Sequence, residues 1–153
     1  MRMLSLLLVF CCTLPAAAGP RDEQWKKVQE AMDKGLPKTA IETLTPIIAG
    51  AIKDQAYAEA VKAMARKIAL EGNLEGNKPT EKITRLQAEI AKAPSEMVPV
   101  LDVILANWYW HYFQQNRGRF LQRTATATAP GNDFATWDLP RLFAEIDKQF
   151  TKG

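Results

Sequence analysis

His111 is the only histidine in the 153 residues and stands between Trp110 and Tyr112. An imidazole can carry a proton near neutral pH, but a serine triad or a zinc site demands further groups around it. A single histidine excludes multi-histidine metal centres. With no catalytic partners in view, His111 is expected to be a hydrogen-bonded residue at the core or its rim. Both cysteines, Cys11 and Cys12, lie in an N-terminal apolar run. Once that run is removed, no thiolate remains for nucleophilic attack, metal binding, a disulfide or a thioester. Glu42, Glu59, Glu71, Glu89 and Asp102 fall on different predicted helices without the paired spacing of acid/base chemistry, so each is expected at the surface. The patterns GxGxxG, HExxH, GxSxG and GxxxxGK followed by Ser or Thr are absent. No catalytic residue, cofactor or metal site is expected.

Two groups of residues can bind. Trp108, Tyr109, Trp110, Tyr112 and Phe113 can floor a peptide or glycan groove, with Trp108 and Tyr112 on one helical face. The alternative is that the cluster is core, which a helix apolar around much of its girth favours. Arg117, Arg119 and Arg123, beside Gln114, Gln115 and Gln122, form a basic patch that suits a phosphate or an acidic partner segment. The cation-favouring end of a helix explains the same patch.

These side chains sit on or just after the run Met97 to Gln115, the densest apolar segment after the leader. As a helix it lines up Met97, Leu101, Ile104, Leu105, Trp108 and Tyr112, while Val100, Val103, Trp110 and Phe113 widen the apolar surface. Asp102, Asn107 and His111 interrupt it, so it is not a membrane span of about 20 apolar residues. It is expected to be a central helix sheathed by the others, leaving no reactive pocket.

Residues 1–18 read as a secretory leader. Arg2 gives the positive start, Leu4 to Leu14 the apolar stretch, and Ala16-Ala17-Ala18 the small-residue site ahead of Gly19. The stretch is too short for an anchor helix, and Phe10 before Cys11 does not suit lipidation. The chain is expected to be exported to a periplasm, a cell surface or the medium, meeting membrane only through the leader before cleavage. Its formal net charge of +3 drops by one with Arg2, and no nucleic-acid footprint follows.

Residues 19–153 are expected to form one all-α domain of about six helices. The first runs from about Asp22 to Lys34 and stops at Gly35; the second starts at Pro37, with a bend or break near Glu42 to Pro46. The third spans about Gln55 to Glu71, and Gly72, Asn73, Gly76, Asn77 and Pro79 mark the clearest break. A fourth, about Pro79 to Ala93, has a narrow apolar face of Ile83, Leu86 and Ile90, with Glu81 and Arg85 at ion-pair spacing. After the central helix come a loop over Thr124 to Thr136 and a last helix capped by Asp138, with Leu139, Leu142, Phe143, Ile146 and Phe150 on one face. Consecutive helices should pair as hairpins in a tetratricopeptide-like or α-solenoid-like array. A strict 34-residue repeat does not hold, because that spacing from Trp25 lands on Glu59. The last hairpin of such an array lacks a capping neighbour, so only marginal stability is expected.

Three stretches go beyond generic helix: WKKVQEAMDKGLPKTAIETLTPIIAGAIKDQAYAEAVKAMARKIALEG from Trp25 to Gly72, EKITRLQAEI, and WYWHYFQQNRGRFLQRTATA followed by WDLPRLFAEIDKQF. Together they resemble the N-terminal helical region of large exported bacterial alpha-2-macroglobulin-like proteins. The resemblance implies a region that precedes a series of β-sandwich macroglobulin domains in proteins thought to trap or inhibit proteases. No bait segment or thioester cysteine follows the leader here, so no functional residue transfers. What it implies is an N-terminal fragment acting as a non-catalytic scaffold or docking module, with a protein partner or downstream macroglobulin-like domains. The competing expectation is a periplasmic peptide or small-ligand carrier using Trp108 and Tyr112.

Overall fold

The computed structural model describes residues 19–76, 78–122, 131 and 133–152. The expected leader, Arg123 and most of the 124–136 loop lie outside them. Six α-helices follow one another: α1 (Asp22–Asp33), α2 (Pro37–Lys53), α3 (Tyr57–Leu74), α4 (Pro79–Ile90), α5 (Val98–Gln122) and α6 (Leu139–Lys152). One turn of 3-10 helix, Phe134–Thr136, precedes α6, and no strand occurs among the described residues. The expected all-α architecture is what the chain forms. Each helix packs on the next, and α3 also touches α5.

The turns explain the tight hairpins. After α1, Gly35 takes φ +67°, Gly35 N–H donates to the Met32 carbonyl at 3.0 Å, and Leu36 N–H donates to that of Ala31 at 2.8 Å. This left-handed stop satisfies the orphan carbonyls, and Pro37 restarts the chain as α2, where its missing N–H costs nothing. The same turn closes α2: Gln55 takes φ +57°, donates to Ile52 at 3.1 Å, and Ala56 donates to Ala51 at 2.8 Å. Here a non-glycine residue holds the left-handed position. At the start of α6 the Asp138 carboxylate accepts from Arg141 N–H at 2.9 Å, the expected cap.

Several expectations are corrected. The helix α2 is not broken into two pieces but runs through Pro46; Pro46 and Glu42 both face solvent, so water can serve the carbonyl that loses its bond. Gly72 does not break the chain but lies buried inside α3, facing Lys82 of α4. Arg85 does not pair with Glu81. It reaches back to Glu75, 2.6 Å from each carboxylate oxygen, and to Glu71 at 3.2 Å, tying α4 to the end of α3. Its guanidinium holds the Glu75 carboxyl below its ordinary range.

The core is divided. Val28, Ala31, Ala40, Leu44, Ile47, Ala63 and Leu70 form one cluster among α1, α2 and α3. A larger one joins the end of α2 and the Ala60 to Ile68 stretch of α3 to α4, α5 and α6. Thus α5 is not sheathed by five helices; it belongs to the last third of an array. On α6, Leu142 and Ile146 are buried as expected, yet Phe143 and Phe150 are exposed while Glu145 and Gln149 are buried.

Candidate functional site

Four residues apart on α5, Trp108 and Tyr112 turn toward α3 and α4. With Ala69, Pro79, Lys82, Ile83, His111 and Gln115 they line a cleft of about 200 Å³. Tyr112 is almost wholly buried, its ring edge-on to Phe134 at 5.2 Å and to Phe120 at 5.8 Å. Trp108 is half-buried and offers part of its indole to the cleft. The expectation that this segment is all interior packing therefore fails at Trp108, and also at Trp110, which is exposed. It holds for Tyr109, the largest fully buried side chain. Tyr109 hydroxyl accepts from Gln87 Nε2 at 2.8 Å, its ring meets Phe134 and Trp137, and burial pushes the phenol well above its ordinary pKa.

Lys82 enters the cleft wall because its stem crosses Gly72 and its ammonium donates to Asn73 Oδ1 at 2.7 Å. His111 is exposed at the rim of the cleft and makes no side-chain hydrogen bond among the described residues, so the hydrogen bond expected of it is not made there. Aromatic walls with an ammonium, an imidazole and an amide at the edge can stack on a flat or apolar group and fix one polar end of it. Among the described residues no three His, Cys, Asp or Glu side chains stand close enough to share a metal ion.

The basic patch does not join this site. At Asn116 the backbone leaves helical geometry (φ −115°, ψ 16°), and Asn116 Nδ2 donates to the Tyr112 carbonyl at 2.9 Å. Arg117 and Arg119 follow that kink, exposed and outside the cleft lining, and Arg123 lies outside the described residues. Pro79 and Lys82 were not foreseen as site residues, because the pairing of α4 with α5 has no local sequence signature.

A second concavity, of about 400 Å³, runs across α2, α3 and α4. Ile48, Ile52, Met64 and Ile68 supply its apolar lining, with Lys67, Glu71, Arg85 and Glu89 as its charged members. At the far end, Arg21 is buried. Its Nε and Nη2 donate to Glu59 Oε2 at 2.9 and 2.6 Å, and Nη1 pairs with Asp54 at 2.5 Å. Trp25 Nε1 donates to the other oxygen of Glu59 at 2.7 Å. Asp102, expected at the surface, is buried as well, and that burial raises its carboxyl pKa.

No helix among the described residues is long and apolar enough to cross a membrane. Comparison with protein-family models, with curated proteins and with solved structures found no match to this chain.

Proposed function

We propose that this chain is a non-catalytic, exported helical scaffold whose groove across α2, α3 and α4 holds a segment of a partner protein. The observation that supports it is that groove: four aliphatic or thioether side chains between charges of both signs, the pattern that seats an apolar-anchored peptide and orients its polar flanks. The resemblance to the N-terminal region of alpha-2-macroglobulin-like proteins suggests downstream macroglobulin-like domains of that family as the partner. A photo-crosslinking residue placed at position 52 should capture one protein in the producing cell, while the same residue at exposed position 26 should not. Silence at position 52 would overturn the docking role. N-terminal sequencing of the released protein should begin at Gly19; retention of Met1 would overturn export.

The cleft beside Trp108 supports a second reading, a carrier for a peptide or small aromatic ligand. Tryptophan fluorescence titrated with a peptide and lipid library should then respond, and Trp108→Phe should abolish the response. No response anywhere in the library removes this reading.

A further inference from the structure

From Val98 to Asn116 the helix α5 carries a single Asp, Glu, Lys or Arg, and that residue, Asp102, is only 4% exposed. Everything it presents to solvent over five turns is aliphatic, aromatic, amide or imidazole. By contrast, α1 exposes Asp22, Glu23, Lys26, Lys27 and Glu30 within nine residues. Loss of charge together with gain of aromatic surface marks the centre of protein interfaces.

The apolar part of this surface is continuous across the seam between α5 and α6. Trp110, 41% exposed, lies 5.5 Å from Phe113 and 6.2 Å from Phe143, which is itself 39% exposed. The two helices run in opposite directions. Seven residues back along α5 and seven forward along α6 therefore reach the same level, about 10 Å away, where Val103 (39% exposed) and Phe150 (49% exposed) stand. The strip thus follows most of the length of α6. Its charged neighbour on α6, Asp147, lies to the outside of the two phenylalanines, where a rim charge belongs.

We propose that a second copy of this chain covers the strip, the two α5–α6 hairpins meeting about a two-fold axis to close a four-helix bundle. Charge decides the occupant. An acidic or a basic partner finds no counter-charge on the α5 side, whereas a neutral strip set against its own copy brings no like charges together there. Two antiparallel helical hairpins packed face to face form a four-helix bundle with all inner faces covered. The proposal does not depend on the α2–α4 groove, which lies on other helices.

Sedimentation of the purified chain from about 5 to about 500 μM, the range in which a small apolar interface associates, should show mass rising from monomer to dimer. Trp110→Glu and, separately, Phe143→Glu should weaken that association at least tenfold, with helical circular dichroism unchanged in dilute solution. Val103→Lys, at the most conservative end of the strip, keeps the test valid if an aromatic variant unfolds. Monomer at every concentration would overturn the proposal, as would a dimer indifferent to all three substitutions. A photo-crosslinking residue at position 110 should join two copies of this chain; capture of a different protein there would also overturn it. Crosslinking at position 52 should survive Trp110→Glu, so failure of the dimer and failure of the groove would be told apart.

Discussion

The stem of Lys82 lies across α3 at the one place where that helix has no side chain: a Cβ on Gly72 would collide with Lys82 Cγ and Cε. Glycine inside a helix is usually worse than alanine by about 0.5–1 kcal/mol, so this position trades helix stability for close approach of α4. Gly72→Ala should yield no gain by itself, since Lys82 must abandon its bond to Asn73. In a Lys82→Ala background the same change should stabilise by about 1 kcal/mol. Urea unfolding of the four proteins of the double-mutant cycle measures the coupling. Equal gains in both backgrounds would mean that Lys82 does not constrain residue 72.

Gln55 offers the opposite case. It holds φ +57° at the end of α2, a conformation that costs an L-residue roughly 1 kcal/mol and glycine almost nothing. Gln55→Gly should raise stability by about 0.5–1 kcal/mol, less whatever the freer unfolded chain takes back. Gln55→Val should lower it by more, because a β-branched side chain suits that backbone worst. A thermal melt of the three proteins orders them.

The network at the start of α1 should be acid-sensitive. The Arg21 guanidinium, helped by the Trp25 N–H, holds the Glu59 carboxyl below its ordinary 4.5 against the opposing effect of burial. A depressed carboxyl adds stability that is complete above 4.5 and disappears as the pH falls through the folded value. Glu59→Gln should therefore cost about 1–2 kcal/mol at pH 7 and much less in strong acid. Melting curves taken at pH 7 and at about pH 2 test the sign.

The residues show why part of this was legible in the sequence. Gly35, Pro37 and Asp138 are local signals, and each ends or starts a helix where its backbone chemistry demands. Gln55 repeats the Gly35 turn without any of its signals, so nothing local marks it. Gly72 reads as a break in the sequence because a glycine kept for close approach is indistinguishable from a glycine kept for a turn until its neighbour, Lys82, is known. Trp108 and Tyr112 share a face by simple helical spacing, but which helix they turn to is decided by α3 and α4. The buried face of α6 differs from its sequence stripe for the same reason. A strongly amphipathic helix specifies its apolar side, and only the seam with α5 sets how far it rolls, leaving Phe143 and Phe150 out and Glu145 and Gln149 in.

That seam contains a buried carboxylate. Asp102 is raised above its ordinary 3.8, first by burial and then by nearby Glu145, while Lys152 and Lys148 act in the other direction without cancelling the burial. The sign is the reverse of that for Glu59. A raised carboxyl leaves stability untouched below 3.8, and the penalty grows as the pH climbs from 3.8 to the folded value, beyond which it is constant. Asp102→Asn keeps the shape and removes the charge. It should stabilise the chain at pH 7 by about 1 kcal/mol, a rise of about 3–5 °C in Tm for a domain of this length. At about pH 3 the two proteins should melt together, because Asp102 is then protonated in both the folded and the unfolded chain. If Asp102→Asn melts lower than the parent at pH 7, the carboxylate is being held by Lys148 and Lys152 as an ion pair, and burial is not what governs its charge.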